Sequence, residues 1–419
     1  MRGLRADTVY LLLEGVMSFA FGLVFTVTGV YFVTVVGMNP LQLVLVGTAL
    51  ELTAFLFEIP TGVVADTYSR RLSVIIGIFV LGAAFVLRGL APVFEFMLLG
   101  SAILGIGYTF LSGAAEAWIA DEVGEERAGR VYLQASQIGQ AAGLVSIGAS
   151  VALASIQLTL PIVLGGLLLI TLGVLLIVVM PENGFAPAPR EDRRSWQTLG
   201  RTLQEGTRLV RGRPILLLLV TVAVFAGASS EGFDRLSDAH FLTNVGFPAL
   251  GALEPVVWFG ILSASGRILS IIATEIVKRR VDTTNAAAIG RALLVLNVAL
   301  LVSTIAFGLA GNFMFALLTF WSVGLLRTLI NPLSTTWLNQ HVEPQVRATV
   351  ISTRAVADAF GQTAVGPAVG AVGLFWSIRA ALVAAGLLLA PVLLLLAQAL
   401  RRDAAAQTQA AALSETTEV

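Results

Sequence analysis

Long apolar runs separated by short polar turns recur along the whole chain. A helix needs about 20 apolar residues to cross the ~30 Å hydrocarbon layer of a bilayer. Twelve stretches reach that length: 10–36, 41–64, 72–91, 94–119, 130–154, 158–180, 214–240, 256–277, 284–309, 312–339, 347–375 and 378–400. Turn chemistry separates many of them, as in Gly37-Met38-Asn39-Pro40 and Ala310-Gly311-Asn312. Connections this short make successive helices antiparallel neighbours. The first run follows Met1–Asp7 without a small-residue cleavage pattern, so it reads as a spanning helix rather than a removable leader.

The one long connection, 181–213, opens with PENGFAPAPRED and continues into a basic segment where Trp196, Leu199, Leu203 and Leu209 mark one helical face. It reads as an amphipathic helix on an anionic membrane surface, the alternative being a solvated linker. The runs on either side of it repeat. A shift of roughly 207 to 222 positions carries span 1 onto span 7, Arg70-Arg71 onto Arg279-Arg280, and Arg130 onto Arg347. The expected fold is an all-α membrane protein of twelve transmembrane helices in two pseudo-symmetric six-helix bundles, 1–180 and 214–400, with a disordered tail over 401–419. Lys and Arg divide 19 to two between alternate loops, with Arg88 and Arg379 on the poorer side. That bias places both termini in the cytoplasm of a bacterial (inner) membrane.

Composition agrees with a membrane solvent: 57% of residues are hydrophobic and 12% charged, where soluble domains carry about 25% charged residues. Basic and acidic residues balance at 26 each, so there is no electrostatic footprint for nucleic acid. Cysteine is absent and the histidines are His240 and His341 alone, which leaves a metal site short of ligands and calls for no cofactor. No phosphate-binding loop is present to couple ATP. A lipid-modifying membrane enzyme would need a nucleophile and base or a metal constellation, and neither His sits in such a motif.

Between spans 2 and 3 the chain reads Gly62-Val63-Val64-Ala65-Asp66-Thr67-Tyr68-Ser69-Arg70-Arg71. This resembles the signature loop of the major facilitator superfamily, G-x-x-x-D-x-x-G-R-[RK], in its expected place. The resemblance implies a cytoplasmic gate in which Gly62 allows close helix approach, Asp66 faces a helix N-terminus, and Arg70, beside Arg71, pairs with Asp121. Ser69 stands where the family prefers Gly, which implies strain if the backbone there needs a positive φ. The family's antiporter Gly-Pro pair is missing from span 5 (Gly139-Gln140-Ala141-Ala142-Gly143-Leu144), and a related string with Pro367 occurs in span 11. Span 4 also lacks the family's proton-coupling Arg. The strings LELTAFLFEIPTGVVAD, SGAAEAWIADEV and SSEGFDRLSDAHFL resemble a branch of bacterial exporters that includes tetracycline and macrolide pumps, implying export of lipophilic compounds.

An ionised side chain at mid-bilayer costs about 2.5–3.5 kcal/mol on insertion scales, so each one retained is a functional candidate. Proton-coupling candidates are Glu14, Glu51, Glu58, Glu116, Glu231, Asp234 and Asp358, with Arg267, Arg327 and Arg354 as charge partners. Arg291 stands in span 9, which faces lipid in the superfamily. Arg354 and Asp358, four apart on one helix, and the neighbours Asp234 and Arg235 read as self-neutralised pairs, whereas Glu14, Glu51 and Glu116 have no such partner within a turn. Cavity candidates are Phe19, Phe25, Tyr108, Trp118, Asn331 and Trp337, each with packing as its alternative role. The expected function is export of lipophilic drug-like compounds by proton antiport, as a monomer. The alternatives are a lipid or siderophore exporter and a proton-coupled nutrient symporter.

Overall fold

The computed structural model describes residues 4–187, 204, 208, 214–248, 255–280, 285–340, 342 and 347–401. The expected linker helix around Trp196, Leu199, Leu203 and Leu209, His341, and the tail beyond Arg401 lie outside the described residues.

All regular structure among the described residues is helical. The first half runs through α1 (Ala6–Val30), α2 (Pro40–Thr67), α3 (Arg70–Leu90), α4 (Phe94–Leu111), α5 (Ala114–Val123), α6 (Glu125–Ala154) and α7 (Leu160–Val179). The second runs through α8 (Pro214–His240), α9 (Pro255–Arg280), α10 (Ala286–Gly308), α11 (Phe313–Gln340), α12 (Arg347–Phe360), α13 (Gly366–Phe375) and α14 (Ile378–Leu387), with a last helical stretch over 390–401. Eleven helices among the described residues are long and apolar enough to cross a membrane. The expected span 347–375 is the exception, because Arg347, Arg354, Asp358 and Gln362 dilute its apolar character and a π turn over Gly361–Val365 interrupts it.

Capping residues set many starts. Asn39 accepts the Gln42 amide N–H at 2.9 Å while the Gln42 side chain accepts the Asn39 N–H at 3.0 Å, a capping box that opens α2 with Pro40 at its first position. Asn285, Asn312 and Ser377 cap α10, α11 and α14 in the same sense. The expected fourth span is not continuous. It breaks at Ser112-Gly113, where Gly113 takes φ +72° and α5 starts in a new direction. Gly124 at φ +82° then turns the chain into α6, five residues earlier than the apolar pattern alone suggested.

Contacts gather the chain into two compact units, Met1–Leu199 with Phe247–Ala264, and Gly200–Gly246 with Ser265–Val419. Within the first, helices meet through small residues and backbone acceptors, as expected where lipid offers no hydrophobic drive for helix association. Ser150 on α6 donates to the Leu23 carbonyl of α1 at 2.6 Å, and Thr53 on α2 donates to the Ala102 carbonyl of α4 at 2.9 Å. A Cβ on Gly82 of α3 would lie 2.8 Å from the Gly166 carbonyl oxygen of α7, and one on Gly166 would lie 2.7 Å from that of Gly82. The second unit uses the same device: Gly227 of α8 abuts the Asp358 carbonyl and Gly361 abuts that of Val224.

The internal repeat has a local counterpart. α1 ends in a π turn, Tyr31–Val35, followed by Gly37 at φ +69°; α8 ends in a π turn, Phe241–Val245, followed by Gly246 at φ +73°. The same irregular exit therefore closes the first helix of each half.

Candidate functional site

The turn between α2 and α3 is built as a capped and strapped junction. Ser69 has φ −174°, extended backbone open to any residue, so the strain expected from replacing glycine does not arise. Its hydroxyl oxygen instead caps α3, accepting the Leu72 N–H at 2.8 Å, and its O–H donates to Glu182 at 2.6 Å. Glu182 also accepts the Arg71 N–H at 2.9 Å, placing a carboxylate at the electropositive start of α3. Arg70 forms an ion pair with Asp121 of α5 and donates to the Ala117 carbonyl at 2.7 Å. Arg71 donates to the Ile177 carbonyl at 2.6 Å. Gly62 is buried on α2, and Asp66, half-buried, has an interaction partner.

The chain leaving α7 completes the strap. The Trp118 indole N–H donates to the Pro181 carbonyl at 2.7 Å, and Glu122 accepts the main-chain N–H groups of Asn183 and, at 2.7 Å, Gly184. Sequence reasoning missed Glu122 and Glu182 here, and the hydrogen bond that Ser69 makes to Glu182, because these partners lie far apart along the chain. A cleft of about 660 Å³ opens beside the strap, lined by Arg5, Asp7, Arg71, Glu122 and Arg127 among others. Its charges are already engaged, since Asp7 bridges Arg5 at 3.0 Å and Arg127 at 2.5 Å.

A different arrangement surrounds Glu14 and Glu116. Glu14 is half-buried on α1, and Glu116 is exposed on α5, three residues beyond the positive-φ glycine that breaks the fourth span. The two carboxyl groups lie within electrostatic range of each other, and neither has an ion-pair partner among the described residues. Two tyrosines complete the group. Tyr10 is 3% exposed, interacts electrostatically with both acids, and packs edge-on against Tyr132 of α6 with ring centroids 5.8 Å apart. Tyr132 donates its hydroxyl to the Glu116 carbonyl at 2.8 Å, one turn past the break. Both tyrosines escaped the sequence reading, because only tertiary packing brings α1, α5 and α6 together. Glu51 on α2 is half-buried and Glu58 exposed, and each has an interaction partner, so Glu51 is not the bare acid its sequence surroundings suggested.

Two acids of the second half are held by arginine. Glu231, 2% exposed, takes Arg235 one turn on at 2.9 Å. Asp234 takes Arg327 of α11 at 2.5 Å, and that guanidinium also lies 4.9 Å from the centre of the Phe233 ring. The expected Asp234–Arg235 pairing is thus replaced by two others, because adjacent residues on a helix point apart while residues four apart align. Asp358 accepts the Gln362 amide at 2.8 Å, and Arg354 forms no ion pair with it. Arg267 and Arg291 are exposed. His240 is buried with its Nε2 2.9 Å from the Phe307 carbonyl, which gives it a structural role.

The aromatic candidates separate by exposure. Trp118 is 1% exposed and Trp337 fully buried, so neither presents a face to a solute, and both are corrected to packing residues. Phe25 and Tyr108 are 45% and 58% exposed; Phe19 is half-buried and Asn331 exposed. Phe25 packs against Phe21 and Phe85 with ring centroids 5.5 and 5.9 Å away.

Comparison with known proteins agrees with this architecture. The sequence profile described as Major Facilitator Superfamily matches residues 11–318. The uncharacterized MFS-type transporter YxaM of Bacillus subtilis (strain 168) is 22% identical over 207 residues, 49% of this chain and 51% of that protein, so the chain spans about half the length of the curated relative it matches. A mutant of the nucleoside transporter NupG superposes with a TM-score of 0.74 at 15% identity, over 95% of this chain and 99% of that one. A bacterial homolog of the human lysosomal transporter Spinster, in an inward-facing, unoccupied conformation, gives 0.70 at 16% identity over 94% and 96%. At such identities the likeness is one of fold.

Proposed function

Because the chain belongs to the Major Facilitator Superfamily, we propose that it is a secondary active exporter of lipophilic compounds driven by proton entry, alternating access between the two sides of a bacterial inner membrane. The observation that carries the proposal is the Glu14–Glu116 pair, two acids without a cationic partner among the described residues, beside a broken helix. A carboxylate with a neighbouring carboxylate and no cation takes up a proton more readily than one held by arginine. We assign proton movement to this pair, whereas the arginine-held Glu231 and Asp234 serve structure. The Arg70–Asp121 pair, held together by the strap of residues 181–184, serves as the cytoplasmic gate. The distribution of Lys and Arg supports cytoplasmic termini. Export of lipophilic cargo rests on the three strings shared with the tetracycline and macrolide branch, since solved relatives at 15–16% identity inform the fold and not the cargo.

The test uses proteoliposomes holding a pH-sensitive dye and a fluorescent lipophilic substrate, with and without an imposed pH gradient. The expected result is substrate movement against its gradient only when protons flow the other way. Flux indifferent to the pH gradient overturns the proposal.

A further inference from the structure

We propose that the cleft at the start of α1 is a binding site for the phosphate headgroup of an anionic membrane lipid. Its volume of about 660 Å³ falls in the range of pockets that hold small organic groups. Three guanidiniums line it, from the residue before α1 (Arg5), the start of α3 (Arg71) and the first turn of α6 (Arg127), against two carboxylates, Asp7 and Glu122. Positive charge is therefore in excess. Asp7 lies between Arg5 and Arg127, at 3.0 and 2.5 Å, so one carboxylate answers two guanidiniums. Glu122 turns its oxygens to the main-chain N–H groups of Asn183 and Gly184. Arg71 donates to the Ile177 carbonyl at 2.6 Å, forms no ion pair through its guanidinium among the described residues, and keeps a buried Nε without a hydrogen bond there.

The same wall carries a helix start. α1 opens without a capping side chain at Arg5, and of its first N–H groups Asp7 accepts that of Thr8 at 3.1 Å. A positive helix end beside surplus guanidiniums favours an anion with several acceptor oxygens, and phosphate matches guanidinium in two-point hydrogen bonding. The rim decides which phosphate. Leu4 is 45% exposed, Val178 64% and its neighbour Ile177 50%, so aliphatic surface continues from the arginines along the end of α7. A free phosphate gains nothing from such surface, whereas glycerol and acyl chains cover it. The cleft lies on the face where Lys and Arg concentrate, and a basic pocket between spanning helices at that face is placed to meet the anionic lipids of the leaflet. Such a site needs the membrane-spanning fold alone, and neither a particular cargo nor proton coupling.

The experiment titrates dioleoylphosphatidylglycerol into delipidated full-length protein in detergent and counts bound lipid by native mass spectrometry. Dioleoylglycerol serves as the phosphate-free counterpart and glycerol 3-phosphate as the soluble one. Wild type is expected to hold one phosphatidylglycerol saturably, with no competition from dioleoylglycerol. Arg71→Gln and Arg127→Gln should each weaken binding about tenfold. Asp7→Asn, which frees two guanidiniums while keeping the shape of the side chain, should strengthen it about threefold. Arg291→Gln, at an exposed arginine on α10, should leave it unchanged. Should Arg71→Gln fail to give monodisperse protein, Arg127→Gln and Asp7→Asn carry the test. Unchanged affinity in Arg127→Gln and Asp7→Asn, an equal loss in Arg291→Gln, or equal binding of dioleoylglycerol overturns the proposal. Competition by glycerol 3-phosphate as strong as that by the lipid overturns the lipid assignment in favour of a soluble phosphate. Because neither gradient nor cargo is present, failure here leaves the flux experiment standing, and loss of coupled flux with lipid binding intact strikes the transport reading alone.

Discussion

Two pairs of acids, one pair in each half of this chain, are treated in opposite ways. In the second half Glu231 meets Arg235 and Asp234 meets Arg327, so negative charge is cancelled beside its source. In the first half Glu14 and Glu116 lie within electrostatic range of each other and of Tyr10, and neither has an ion-pair partner among the described residues. A neutralised pair resists a change of protonation, because losing either charge strands the other. One half thus holds two of its acids by arginine, and the other leaves two acids without an ion-pair partner among the described residues.

The largest effect expected from disturbing this contrast lies in the neutralised half. Glu231→Ala removes the Arg235 ion pair at a site only 2% exposed and should cost about 3 kcal/mol of stability, read as a fall in melting temperature. In the first half Glu14→Gln should leave melting unchanged within about 0.5 kcal/mol. It should nevertheless slow proton-coupled flux about tenfold, equivalent to about 1.4 kcal/mol. If Glu14→Gln lowered the melting temperature as far as Glu231→Ala, the division into structural and titratable acids would fail. A smaller loss, about 0.5–1 kcal/mol, is expected for Arg327→Ala, because Asp234 is 51% exposed and water screens the pair. A loss of the same order, about 1 kcal/mol, is expected for Ser69→Gly, away from both groups, a few tenths of it from the cap and the rest from the Glu182 hydrogen bond. Melting curves in the same detergent order all four variants.

Much of the helical scaffold is legible in the pattern of apolar runs, because lipid forces the chain to satisfy its backbone within each span. The GMNP turn and the Arg70–Asp121 pairing are also readable, one from local capping chemistry and the other from the signature loop. The break at Ser112-Gly113 is hidden, since apolar residues continue on both sides and only the Ser-Gly pair signals a turn. Glycine at the family position suggests a positive φ at residue 69, and serine solves the same junction differently, by capping in an extended backbone. Helix geometry alone could have paired Glu231 with Arg235, yet at the same spacing Asp358 accepts the Gln362 amide and makes no ion pair with Arg354. Tyr10 and Tyr132 could not have been found along the chain. Their meeting depends on how α1 and α6 pack, over a separation of more than a hundred residues.

Gly82 and Gly166 have a mechanical consequence. With main chain close to main chain at these two positions, flanked by the Ile170 and Val86 side chains, α3 and α7 have little room to slip past each other. That seam moves as one stiff plate. Bending is left to places already released from regular hydrogen bonding, the Gly113 corner and the five-residue wide turns ending α1 and α8. Glu116 lies one turn past the first of these, so flexing the chain at that corner swings a carboxylate.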